Sequence, residues 1–203
     1  MADLSAQARA SEEEYFRKKE RELIEKLKRK AATEAQRKGL AEAIGLENQQ
    51  ILDVLQEMGF DRSTVVLLFL FPLLQVAWSD GEVSGEEQAL ILRAARTHGV
   101  EEGSAAYEKL TGLLRTQPAP VLFERALTVI HDLLRFQKGE SRQSVSTKLI
   151  DACERVAAAS GGFLGVGSKV SANENDVLRR VSAAIGEKHA AAAARVESRL
   201  KST

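Results

Sequence analysis

The sequence predicts an all-α protein: a compact bundle of about seven helices with an internal helix-pair repeat, preceded by a long charged helix. The 203 residues include only three prolines, and 5% of them are aromatic. Residues that favour helices, namely Ala, Leu, Glu, Lys and Arg, are abundant. Apolar residues recur at helical spacing in several segments, and no stretch alternates apolar and polar residues as a half-buried strand would.

Composition bounds the class of protein. Hydrophobic residues make up 44% of the chain, which is enough for one globular core with an appended segment. The 29 basic and 29 acidic residues balance to a net charge of zero, so no overall field attracts nucleic acid and no nucleic-acid partner is expected.

Location is indicated by the cysteine content and the N-terminus. The single cysteine, Cys153, excludes an internal disulfide and suits a reducing compartment. The first residues lack the basic-then-apolar order of a secretory signal. We therefore expect a cytoplasmic protein, with the periphery of the inner membrane as a further location.

Residues 11–38 form the most charged stretch and are predicted to be one helix, about 42 Å long at 1.5 Å per residue. Ser11 and Glu14 have the spacing of a capping box. Acidic residues precede basic ones by four positions, as in Glu25 and Arg29, and such pairs support a helix in water. The helix is therefore expected to project from the domain as a separate segment, residues 1–39.

Few apolar residues interrupt this charged helix. Phe16, Leu23 and Leu27 fall on one helical face, and Tyr15 lies beside them. A lone helix leaves such a stripe exposed, so the pattern predicts either a protein partner or self-association through these four side chains.

The segment from residue 40 to residue 186 is predicted to be the helical domain, and the Ala-rich residues 187–203 a helical tail. Within the domain, helices are expected at Leu40–Gly59 with an interruption at Gly45, from Asp61 or Ser63 to about Trp78 with a bend near Pro72, and then at about 85–98, 104–116, 121–136, 142–159 and 172–185.

Val65–Leu74 is apolar enough to raise the question of a membrane span. A transmembrane helix needs about 20 apolar residues, and this run soon meets Gln75 and Asp80. A buried core helix is the preferred interpretation, and no transmembrane segment is predicted.

The chain repeats part of itself. Residues 170–174, VSANE, copy residues 83–87, VSGEE, at an offset of 87 residues, and the match continues through Arg93 and Arg180 to Gly99 and Gly186. Each copy fits a capping box, in which a serine side chain and a glutamate three residues later satisfy backbone N–H groups at a helix start.

The first copy also carries an acidic approach that the second copy lacks. Asp80, Glu82, Glu86 and Glu87 place four carboxylates within eight positions, and carboxylates at this spacing can converge on Ca²⁺ or Mg²⁺. The pattern does not match an EF-hand loop, and acidic residues also favour a helix N-terminus without any metal. A divalent cation at this acidic elbow, residues 79–87, is therefore one hypothesis beside plain capping.

Residues 72–99 resemble the TerB tellurite-resistance family, in which an apolar helix ends in Ala-x-x-Asp-Gly before a Glu-rich helix start. The matching positions here are Ala77, Asp80, Gly81, Glu82, Val83, Glu86 and Glu87. The resemblance covers residues 60–186 and implies a bundle of about seven helices, a divalent metal at the acidic residues and a non-enzymatic binding or scaffolding role in stress response. In the second copy, Gly167 and Lys169 take the positions of Asp80 and Glu82, so that copy is not acidic.

The N-terminal helix is similar to the inhibitory helix of the ATP synthase inhibitor protein. The similarity rests on residues 12–17, EEEYFR, followed by Glu22-Leu23 and Leu27-Lys28. It implies, as an alternative function, a regulator or inhibitor of a rotary ATPase that acts through this helix.

Motifs for catalysis are not apparent, and no enzyme is predicted. The loop at 160–169 has its glycines and lysine in the wrong order for a nucleotide-binding P-loop. Cys153 shares a stripe with Leu149 and Val156, which is typical of a small buried apolar residue. No histidine has a second ligand at metal-binding spacing.

Overall fold

The computed structural model describes residues 2–136, 140–160 and 172–186. Within these residues all regular structure is helical, and the all-α prediction is confirmed. The elements are α1 (Ala2–Ile44), α2 (Gln49–Glu57), a 3₁₀ helix (Val65–Leu70), α3 (Phe71–Ala77), α4 (Gly85–Thr97), α5 (Ala105–Arg115), α6 (Pro120–Phe136), α7 (Glu140–Ser160) and α8 (Ala172–Gly186). Seven α-helices therefore follow the long charged helix in the described part of the chain.

Helix α1 is longer than predicted and does not break at residue 40. It ends at Ile44, where Gly45 adopts a φ of +68° and the amide N–H of Leu46 donates to the carbonyl of Ala41 at 3.2 Å. Leu40 is fully buried, whereas every residue from 15 to 36 is exposed. The last turns of α1 thus belong to the domain, and the preceding turns extend from it.

Two ion pairs help to fasten the end of α1 to the domain. Arg37 pairs with Asp53 of α2, and Arg62 pairs with Glu42 at 3.0 Å. Both pairs are partly exposed, so they orient the helix more than they stabilise it.

The sequence predicted one α-helix with a bend near Pro72 for the apolar segment after Phe60, and this prediction is wrong. The segment is a 3₁₀ helix that passes directly into α3, and Pro72 lies in the first turn of α3, where its missing N–H leaves no hydrogen bond unmade. Asp61 begins the segment by accepting from the amides of Ser63 and Thr64, each at 2.9 Å.

Helix α3 lies at the centre of the bundle. It packs against α4, α6, α7 and α8, and six of its seven residues are buried. The ring of Phe71 meets those of Phe60 and Phe123 edge to face, with centroids 5.7 Å and 6.0 Å apart. Its apolar character therefore reflects burial on all sides, and none of the helices in the described ranges is long and apolar enough to cross a membrane.

The sequence repeat is also a repeat of packing. Helix α4 packs on α7 while α8 packs on α3, so the second helix of each pair contacts the first helix of the other pair. The first turns of α4 and α8 match in burial at positions 87 residues apart: Glu87 and Glu174 are 1% and 2% exposed, and Ile91 and Leu178 are both buried. Ser171, the predicted cap of α8, lies outside the described residues.

Candidate functional site

The acidic elbow joins the central helix to α4. Helix α3 ends at Ala77, and the backbone turns at Gly81, where φ is +94°. Helix α4 then starts with the predicted capping box: the amide of Ser84 donates to the Glu87 carboxylate at 2.8 Å, and the amide of Glu87 donates to the Ser84 hydroxyl at 3.2 Å. The capping interpretation of the first copy is confirmed.

Trp78 fixes the elbow to the neighbouring helix. Its indole Nε1 donates to the carbonyl of Leu113 at 3.0 Å, and the side chain of Gln117 donates to the carbonyl of Trp78 at 3.3 Å. Trp78 is 9% exposed as a residue, and it combines apolar packing with a satisfied N–H, as expected for a tryptophan at a core boundary.

The four acidic residues of the elbow are not gathered at one point. Asp80, Glu82 and Glu86 are exposed, whereas Glu87 is buried. Asp80 accepts from the amide of Glu82 at 3.2 Å, and Glu87 is engaged in the capping box. Consecutive residues on a helix point about 100° apart, which directs Glu86 outward and Glu87 inward.

As placed, these carboxylates do not form a cation site. In the part of the chain that the structure describes, no group of three or more His, Cys, Asp or Glu residues is arranged to hold a metal ion. The residues present therefore do not fit a bound Ca²⁺ or Mg²⁺ in this conformation. Cation binding stays a prediction from sequence, which a titration of Ca²⁺ or Mg²⁺ into the parent protein and Asp80→Asn would decide.

A pair of buried glutamates lies behind the elbow. Burial raises the pKa of Glu87, and the negative charges of Asp80 and Glu174 raise it further, against hydrogen bonds from Ser84 that lower it. The sequence did not predict that Glu87 and Glu174 interact across the fold. The repeat was the available signal, because two equivalent helix starts in a two-fold arrangement can come together.

The predicted partner-binding side chains of α1 are all exposed. The exposed fractions are 57% for Tyr15, 66% for Phe16 and 57% for both Leu23 and Leu27. Ile24 lies beside them and is 43% exposed. We refer to these five residues as the α1 stripe, and it has no covering surface among the described residues.

Groups that sequence reasoning rejected as catalytic are structural. Cys153 is fully buried, and burial raises the pKa of its thiol well above the ordinary value, which makes it a poor nucleophile. His131 Nδ1 lies 2.8 Å from the carbonyl of Ala184 and links α6 to α8. The glycine-rich loop at 160–169 falls almost entirely outside the described residues.

Comparison with family models, with curated proteins and with solved structures found no match. Function is therefore argued from the residues and their geometry.

The turn at Gly81 supplies a first prediction. A Cβ at Gly81 or at Gly85 would meet nothing within 4 Å, but only Gly81 has a positive φ. Gly81→Ala should lower the free energy of unfolding by about 1 kcal/mol or more through backbone strain alone. Gly85→Ala, the matched control, should leave it unchanged or raise it by up to about 1 kcal/mol. Urea denaturation checks both, and equal effects would contradict the assigned turn.

The buried carboxyl of Glu87 supplies a second prediction. Because its folded-state pKa lies above the usual 4.5, the folded protein binds more protons than the unfolded chain between that value and the raised one. Its contribution to stability is therefore present at low pH and is lost as pH rises through this window. Glu87→Gln keeps an acceptor for Ser84 but does not titrate.

The variant should consequently gain stability relative to the parent as pH rises from about 4.5 towards neutrality. Urea denaturation over a pH series measures the difference, and Glu86→Gln, an exposed neighbour, is the control. The free energy of unfolding of the parent minus that of Glu87→Gln should fall as pH rises. A difference that stays constant or increases with pH would contradict the assigned environment of Glu87.

Proposed function

We propose that this chain is a non-enzymatic binding or scaffold protein whose helix α1 carries the partner-docking surface. The observation that carries the proposal is the α1 stripe. Of the seven large apolar side chains that are exposed in the described residues, five belong to this stripe, and the other two are Val121 and Phe136. Concentrated exposure of this kind marks an interaction site more often than scattered exposure does.

The position of the stripe supports docking to another molecule. Phe16 lies 24 residues before Leu40, the first buried residue of the domain, so it is about 36 Å away along a straight helix. A continuous helix cannot fold back at this distance to bury the stripe on its own domain. Covering Phe16, Leu23 and Leu27 would contribute about 1 kcal/mol for each half-exposed side chain.

Ion pairs along α1 allow this segment to be helical without a bound partner. Residues 12–30 are rich in alternating acidic and basic side chains, and Glu25 lies 3.9 Å from Arg29 one turn later. Such pairs stabilise an isolated helix by a few tenths of a kcal/mol each. The helix is therefore presented ready-formed, and little conformational entropy is lost on docking.

We further propose a stress-response role of the TerB kind in the cytoplasm. Its support is the resemblance of residues 77–87 to the TerB signature, in an all-α bundle with a repeated helix pair. The domain would act as the fixed body from which α1 extends.

An alternative is regulation of a rotary ATPase through α1. The similarity of residues 12–28 to the ATP synthase inhibitor helix supports it, and the exposure of Phe16 and Leu23 is compatible with insertion into a larger assembly. Both proposals place the partner on the same stripe but differ in what the partner is.

A photocrosslinking experiment on the full chain tests the docking surface. Benzoylphenylalanine replacing Leu23 on the stripe should give a defined adduct in cells, whereas the same group at Glu25, on the opposite face, should not. The adduct should disappear in Phe16→Ala/Leu27→Ala, because alanine removes apolar surface while preserving helix propensity. The control is Lys18→Ala/Ala32→Ser on the opposite face.

The mass of the adduct separates self-association from binding to a different protein. Equal crosslinking from both faces, or adducts that survive loss of Phe16 and Leu27, would overturn the proposed surface.

The rotary ATPase alternative makes its own prediction. The full-length chain should slow ATP hydrolysis by purified ATP synthase, and Phe16→Ala/Leu23→Ala/Leu27→Ala should relieve the inhibition. Steady-state turnover measures the effect, and unchanged turnover with an excess of the parent chain would reject this alternative while leaving the scaffold proposal intact.

A further inference from the structure

A concave groove of about 420 Å³ lies between α4 and α7. Leu73 of the central helix forms part of its floor, together with Leu90, Ala94, Ala152 and Val156. Leu73 and Val156 are buried, and the three others are half-buried. The floor is therefore apolar and continuous with the core.

Three cations surround this floor. Arg93 projects from α4, and Lys148 and Arg155 project from α7, and all three are exposed. None of them makes an ion pair or a side-chain hydrogen bond within the described residues. Among the described residues, none that lines this groove is a carboxylate. Asp151 and Glu154 of α7 line a separate depression that shares Arg155.

We propose that this groove binds a small amphipathic anion, a carboxylate or phosphate head with an apolar body. The unpaired cations at the rim would hold the head by charge-assisted hydrogen bonds, and the floor would cover the body. The volume falls within the range of small-molecule sites. A bare anion would leave the apolar floor exposed to water. A neutral apolar molecule would make no use of the basic rim. The floor and the rim together therefore favour a ligand that is both apolar and anionic.

The larger groove between α2 and α6 is a useful comparison, because its lining carries charges of both signs. Its volume is about 710 Å³, but its lining mixes acidic residues such as Glu124 and Asp132 with Arg125 and Arg135. Arg125 is already paired with Glu57 at 3.1 Å. That groove has no net preference for an anion, whereas the charged side chains described at the rim of the groove between α4 and α7 are all basic.

Calorimetric titration of the full chain with octyl phosphate, kept below its micelle concentration, tests the proposal. We expect saturable binding to one site. Inorganic phosphate, which is the head alone, and 1-octanol, which is the body alone, should each bind at least about tenfold more weakly, a difference of about 1.4 kcal/mol. Binding of octanol as tight as that of octyl phosphate would overturn the proposal.

Variants locate the site. Arg93→Gln/Lys148→Gln should weaken octyl phosphate binding at least about tenfold, and Ala152→Trp should block it by filling the groove. Arg96→Gln/Arg115→Gln is the matched control, because it removes the same charge from exposed positions outside the groove. Circular dichroism and thermal melting verify that each variant folds, and the charge variants alter only exposed side chains. Equal affinity of the two double variants would overturn the assignment.

A sedimentation experiment with lipid vesicles distinguishes binding of a single small molecule from binding to a membrane surface. Vesicles of phosphatidylcholine with one-third phosphatidylglycerol should not sediment the parent protein if the groove accepts a single small molecule. Sedimentation with these vesicles, combined with no heat on titration of octyl phosphate, would assign the basic rim to a lipid surface and overturn the small-ligand proposal.

Discussion

The burial of one apolar segment organises the whole molecule. The 3₁₀ helix and α3 carry apolar side chains on nearly every face, and a helix of this kind must be covered on all sides. Helices α4, α6, α7 and α8 cover α3, and helices α1, α4, α5 and α6 cover the 3₁₀ helix. The remaining features follow from it: the chain has to leave the core abruptly at Trp78, the next helix has to be capped at once at Ser84, and the two repeated helix pairs pack against each other around the shared centre.

The acidic elbow illustrates how a local requirement can resemble a binding motif. Four carboxylates close in sequence suggest a cation site, but the fold uses one of them, Glu87, to cap α4 and buries it opposite Glu174. The cost of that burial is visible in the raised pKa of Glu87. An ionisable capping residue inside the protein then becomes a source of pH-dependent stability.

Two surfaces in the described part of the chain are proposed here as binding sites. The α1 stripe is apolar and lies far from the core on a helix that supports itself by charge pairs. The groove between α4 and α7 is part of the bundle, and it combines an apolar floor with Arg93, Lys148 and Arg155, three cations that have no ion-pair partner among the described residues. The first suits a macromolecular partner because it is convex and extended; the second suits a small ligand because it is concave. They can operate independently, since they use different helices.

Local patterns in the sequence determined the helices, the capping box at Ser84 and Glu87, the burial of Cys153 and the exposure of Phe16, Leu23 and Leu27. Each of these depends on residues within a turn or two of one another, where spacing and propensity act directly. Tertiary structure alone decided that Val65–Leu70 is a 3₁₀ helix, that α1 continues to Ile44, that the four elbow carboxylates do not converge on one point, and that Arg93 and Lys148 face one groove. These outcomes depend on which helices meet, and the spacing of residues along one helix does not specify its neighbours.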